Sequence, residues 1–110
     1  MTPETRLKNT ILLECGRRGW VAFHMNVGTY QLMTGEFIST GIPKGFPDLM
    51  ILTDTGRAIF VETKIKPRKP TKEQLSWIQD LSSRGFLAFV CYDFHEFMDT
   101  LHGLHSLERF

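Results

Sequence analysis

The sequence predicts a small α/β fold, a mixed β-sheet flanked by helices. Three observations carry this reading. Two short apolar runs, Leu49–Leu52 and Ala58–Val61, stand on either side of a turn segment. A third, Phe86–Tyr92, follows a helical pattern as a βαβ crossover would require. Helical periodicity also precedes the first strand and follows the last, so helices and strands alternate along the chain. The 110 residues suit one domain spanning 1–110, and a 42% hydrophobic content is enough for a modest core.

Each element has a local reason. Thr2 can cap the first helix, with Pro3 at the first helical position, where its missing N–H costs nothing. Leu7, Ile11, Leu12 and Cys15 recur on one helical face, and Gly16 and Gly19 end the helix. Trp20–His24 reads as a strand with His24 packed in it. Residues 25–46 form a long irregular stretch, of a length that is usually functional or hides small elements. Within it, Tyr30–Met33 and Glu36–Ile38 around Thr34-Gly35 can form a short hairpin. Asn26, Tyr30 and Lys44 lie in this stretch and are candidates to touch a nucleic-acid backbone; ordinary loop hydrogen bonding is the plainer role.

Leu49–Leu52 and Ala58–Val61 read as a second hairpin whose turn, Thr53-Asp54-Thr55-Gly56-Arg57, has Gly56 at the left-handed position. Pairing Thr53 with Arg57 sets Asp48 opposite Glu62. Opposed residues have β-carbons about 4.5–5.5 Å apart, and like charges there are destabilising. Strand alternation puts Glu62 and Lys64 on one face and Thr63 on the other. A bound divalent cation would relieve the repulsion, and carboxylate oxygens suit Mg²⁺, which keeps waters for a phosphate to replace. Weak surface ion pairs at strand ends are the alternative.

After Lys64, Pro67 and Pro70 stop strand pairing. Thr71 and Gln74 make a capping box, and Leu75, Ile78 and Leu81 point inward from the helix that Gly85 ends. Gln74 is therefore either a cap partner or a residue of the site. Trp77 reads as packing. Phe86–Tyr92 is continuous enough for a strand buried on both faces. Asp93 and Glu96 open a last amphipathic helix carrying Phe94, Phe97, Met98 and Leu101, ended by Gly103, with 104–110 packed loosely or frayed.

Composition excludes several classes. No run approaches the roughly 18 apolar residues of a membrane span, and the first residues begin no signal peptide. Cys15 and Cys91 sit in apolar periodic segments and read as buried free thiols of a reducing compartment; zinc-ligand spacing is absent. A net charge of +1 does not point to nucleic acid. The distribution does: Lys64, Lys66, Arg68, Lys69 and Lys72 cluster beside the paired acids. A solvated basic loop is the plainer reading of that cluster alone.

Pro47-Asp48 followed by Glu62-Thr63-Lys64 resembles the PD-(D/E)xK nuclease superfamily. More narrowly, Glu4, Lys44-Gly45-Phe46-Pro47-Asp48, Glu62-Thr63-Lys64 and Gln74 resemble the VRR-NUC family, a match running from about Glu4 to Tyr92. The resemblance implies a restriction-endonuclease-like core in the order α-β-β-β-α-β and a Mg²⁺- or Mn²⁺-dependent endodeoxyribonuclease. Asp48 and Glu62 would be metal ligands, with the Thr63 carbonyl as a further one. Lys64 would orient water or stabilise the charged transition state. Glu4, whose plain role is to face the helix dipole, would complete the acidic cluster, and Gln74 would support it. The DNA contacts would come from Asn26, Tyr30, Lys44, Lys66, Arg68, Lys69 and Lys72.

The chain also resembles standalone members of the family, which look like Holliday-junction resolving homodimers of a bacterial or phage-infected cytoplasm. A twofold dimer supplies the two active sites that a four-way junction requires. Its interface would be Phe94, Phe97 and Met98, or the 30–38 hairpin. The alternatives are a general or restriction-like nuclease and a non-catalytic nucleic-acid-binding module; the latter would be marked by loss of Asp48, Glu62 or Lys64, and none is lost.

Overall fold

The 49–61 hairpin forms as its sequence requires. In the structure, a computed structural model that describes residues 1–107 with side chains through Gly103, β4 (Leu49–Leu52) and β5 (Ala58–Thr63) pair antiparallel with Leu49 opposite Val61 and Leu52 opposite Ala58. The turn closes with the Thr53 N–H donating to the Arg57 carbonyl at 2.9 Å, and Gly56 takes φ +84. Continued one step past Leu49–Val61, this register sets Asp48 against Glu62.

The hairpin sits mid-sheet. β1 (Val21–His24) flanks β4 antiparallel, and β6 (Leu87–Cys91) flanks β5 in parallel, giving a four-stranded mixed sheet ordered β1-β4-β5-β6. β2 (Thr29–Gln31) and β3 (Phe37–Ser39) form a separate antiparallel pair inside the long irregular stretch. With that pair set aside, the order is the expected α-β-β-β-α-β followed by a helix.

Alternation along the central strands makes two cores. Leu49, Ile51, Ile59 and Val61 point to one face and bury against Leu7, Ile11 and Cys15 of α1 (Pro3–Arg17) and Phe97 and Leu101 of α3 (Phe94–Leu107). Phe60 points the other way and packs with Ala88 and with Leu81 of α2 (Lys72–Ser83), joined by Phe46, Met50 and Ile78. Burying one such side chain fully is worth about 1.5–3 kcal/mol, so the two cores fix both helix layers to the sheet. Helix ends follow local chemistry. Thr2 Oγ1 accepts from the Thr5 N–H, and Thr71 and Gln74 exchange side-chain-to-backbone bonds in a complete capping box.

Several boundaries differ from the sequence reading. Gly16 lies inside α1, and Gly19, at φ +74, follows the helix end. Leu75 is 49% exposed, because only Ile78 and Leu81 of that stripe reach the sheet. β6 is an edge strand with Leu87, Phe89 and Val90 only half-buried, since among the described residues no further strand pairs with its outer side. Gly103 does not stop α3, which continues to Leu107. Residues 108–110 of the predicted loose tail lie outside the described residues. Phe94, Phe97 and Met98 belong to the core, so they are not a free dimer face. The hairpin does expose Tyr30, Met33, Phe37 and Ile38. Cys15 and Cys91 are free and buried, and burial pushes their thiols up to about 11 and about 12.

Candidate active site

Pro47 is fully buried and delivers Asp48 to the start of β4, where the Asp48 carbonyl accepts the Met25 N–H at 2.7 Å. The carboxylate curls around the strand end to β5. Its Oδ1 accepts the Thr63 N–H at 3.2 Å and its Oδ2 accepts the Thr63 hydroxyl at 2.8 Å. Alternation does place the Thr63 side chain away from Glu62, but there it clamps Asp48, a role the sequence reading missed.

Glu62 and Lys64 share the next face, almost wholly buried at 4% and 6% exposure. Lys64 Nζ stands 4.0 Å from Glu62 Oε2, which also accepts from Gln74 Nε2 at 3.2 Å. Gln74 Oε1 meanwhile accepts the Thr71 N–H at 2.8 Å. One side chain thus caps α2 and also bonds Glu62. Burial first, then the charges of Asp48 and Glu4, push the Glu62 carboxyl up to about 7, with Lys64 pulling the other way.

Gly45 explains how α2 comes so near. At φ +88, a β-carbon there would lie 2.6 Å from Glu73 Cβ and 3.0 Å from the Gln74 nitrogen. Only glycine lets the strand entry pass this close to the helix start. Phe46 then locks the pair by edge-on contacts with Phe60 and Trp77.

Glu4 is brought to the same end of the sheet. Its Oε2 lies 3.7 Å from an Arg68 guanidinium nitrogen and its Oε1 3.8 Å from Lys8 Nζ. Lys8, one turn further along α1, also lies 3.3 Å from Asp48 Oδ2 and 3.4 Å from His24 Nε2. Lys8 is the charged residue that the sequence reading passed over, and its spacing from Glu4 was the available signal. His24, read as packed, is exposed instead, because β1 is the other edge strand.

The candidate DNA contacts divide into groups. Asn26 and Tyr30 line a cavity of about 530 Å³ together with Asp48 and Lys8. Lys44 lines a separate cavity of about 670 Å³ at the hairpin base, and a backbone N–H first, then the Lys44 charge, hold the Glu73 carboxyl below its usual range. Lys66 covers the Tyr92 ring at 5.8 Å, Arg68 faces Glu4, and Lys69 and Lys72 are exposed.

Among the described residues, no group of three or more His, Cys, Asp and Glu side chains converges as a ready metal cluster. The donor chemistry nonetheless fits a hard divalent cation. Mg²⁺ needs only one or two carboxylates with waters completing its shell. Burial is the first cause that raises Glu62, and the repulsion from Asp48 and Glu4 that adds to it is what such a cation would relieve.

The sequence profile of the VRR-NUC domain matches residues 34–94, more than half of the chain. The chain belongs to the VRR-NUC family. Domains of this family are nucleases, and the matched stretch holds Asp48, Glu62, Thr63, Lys64 and Gln74, whereas Glu4 and Lys8 precede it. A solved structure described as a VRR_NUC domain superposes with a TM-score of 0.68 at 24% identity, over 93% of this chain and 97% of its own. That likeness supports the VRR-NUC fold of the sheet and its helices. No curated protein matches the chain.

Proposed function

We propose that this VRR-NUC protein is a Mg²⁺- or Mn²⁺-dependent DNA endonuclease that selects branched DNA, such as four-way junctions, and acts as a homodimer. The observation that carries the catalytic part is the meeting of Asp48, Glu62 and Lys64 at the ends of two central strands, with Glu62 nearly buried yet charged neighbours around it. Asp48, Glu62 and the Thr63 carbonyl would hold the cation. When bound, it would supply a water of lowered pKa and neutralise charge on the phosphate.

The chain's own residues do the rest. The Thr63 N–H and hydroxyl fix the Asp48 carboxylate, so its orientation does not have to be won when substrate arrives. Gln74 fixes Glu62 in the same way. The Lys64 ammonium is buried beside Glu62, where a fixed positive charge is worth more to a developing phosphorane than in water. Lys66, Arg68, Lys69 and Lys72, on the segment leading from β5 into α2, would hold the flanking phosphates. Branch selectivity and dimerisation are supported by resemblance and by the apolar surface of the β2–β3 hairpin, where Met33 and Phe37 are exposed at 107% and 72%.

Sedimentation of the free protein, paired with cleavage rates on four-way junctions, flaps and linear duplex, tests this reading. A dimer that cuts junctions fastest is expected. A monomer that cuts linear duplex as fast as junctions would reject the branched-DNA reading in favour of a general nuclease.

A further inference from the structure

The cavity of about 530 Å³ that abuts Asp48 is lined by Lys8, His24, Asn26 and Tyr30 among others. Its volume falls in the range of roughly 300–1,000 Å³ typical of small-ligand sites. Its lining offers what a nucleotide needs: a cation, an amide and an aromatic ring.

Lys8 is the informative member. Its side chain is 19% exposed, and its ammonium lies 3.3 Å from Asp48 Oδ2, 3.4 Å from His24 Nε2 and 3.8 Å from Glu4 Oε1. The last separation is a charge contact, too long for a hydrogen bond. An ammonium has three protons to give, so one can go to an oxygen arriving in the cavity. A phosphodiester approaching Asp48 and Glu4 meets repulsion unless a cation stands between them, and on this side Lys8 is that cation. Tyr30 is 55% exposed, which leaves its ring open to a base. Bases stack on aromatic side chains when they are unpaired.

We propose that this cavity is a nucleotide subsite beside the scissile position, in which Lys8 binds the neighbouring phosphodiester and Tyr30 stacks on an unpaired base. The inference rests on the nuclease reading and narrows its substrate to DNA in which a nucleotide next to the cut is unpaired or is unpaired on binding, as at a flap or an opened branch point.

The test is fluorescence anisotropy in EDTA with a labelled branched DNA, in which a single abasic residue is moved through the nucleotides around the branch. Wild type is expected to bind roughly five- to hundred-fold more weakly when the abasic residue falls at one position. Tyr30→Ala should erase that position dependence and Tyr30→Phe should keep it. Lys8→Met should lower the salt slope by about 0.7, the value for one single-strand phosphate neutralised, and Lys8→Arg should restore it. Tyr30 is on the surface, so its variants read the subsite even if Lys8→Met fails to fold. A flat abasic profile, or an unchanged salt slope in folded Lys8→Met, overturns the subsite. If wild type still binds and cuts DNA in that case, the nuclease reading stands; a protein that neither binds nor cuts DNA overturns both.

Discussion

Replacing Glu62 with glutamine isolates the electrostatics of the site without substrate. The Glu62 carboxyl is held at about 7 against an ordinary 4.5, by burial first and then by Asp48 and Glu4. Between those values the folded protein keeps a proton that the unfolded chain has released. Stability therefore falls as pH rises through that window. At about 1.36 kcal/mol for each pKa unit, the gap amounts to about 3 kcal/mol once the pH is well above 7. Glutamine keeps the shape and can still accept from Gln74, but it has no proton to lose. Urea unfolding in EDTA at about pH 4 and about pH 8 should show the variant gaining about 3 kcal/mol on wild type between the two. Saturating Mg²⁺ at about pH 8 should return part of the difference to wild type alone, by about 2.7 kcal/mol at a hundred times Kd. Parallel pH profiles for the two proteins would refute the reasoning.

Other substitutions probe the supports of the site. Gly45→Ala, at φ +88 and with its new β-carbon 2.6 Å from Glu73 Cβ, should cost roughly 2–5 kcal/mol in denaturant unfolding. It should also push the start of α2, and Gln74 with it, away from Glu62, visible as lost amide protection at Gln74. Thr63→Val keeps the shape but removes the 2.8 Å bond to Asp48, and should cost about 1.5–3 kcal/mol and lower kcat, as measured by thermal unfolding and steady-state cleavage. Removing Lys66, Arg68 and Lys69 together should weaken DNA binding and reduce its salt slope by roughly 0.9 for each duplex phosphate no longer neutralised, whereas an unchanged slope would mean a merely solvated loop.

What the sequence made legible was local. The register that opposes Asp48 and Glu62 follows from a five-residue turn with one glycine. The capping box follows from Thr71 and Gln74, and the two buried thiols from apolar periodicity. What it hid depends on elements distant in sequence. Thr63 clamps Asp48 across the hairpin because the carboxylate turns at the strand end, which alternation alone does not reveal. Gly45 reads only as one residue of the Lys44–Asp48 stretch, until a β-carbon added there is seen to fall 2.6 Å from Glu73 Cβ at the start of α2. Lys8 looks like an exposed helix lysine until β1 and β4 bring His24 and Asp48 beside it. The half-burial of β6 and the exposure of His24 follow from sheet order, and a single strand's composition does not state whether it lies at an edge. The convergence of Asp48, Glu62 and Lys64 was legible as a motif; its supporting shell was not.

Cleavage of a labelled four-way junction by wild type, Asp48→Ala and Glu62→Ala, each in Mg²⁺, Mn²⁺ and EDTA with binding followed in parallel, puts the metal-dependent chemistry of the site to its plainest test. The paired acids predict cutting by wild type in either metal, none in EDTA, and none by either variant while both still bind the junction. Undiminished cutting in EDTA, or by either variant in metal, would contradict that assignment.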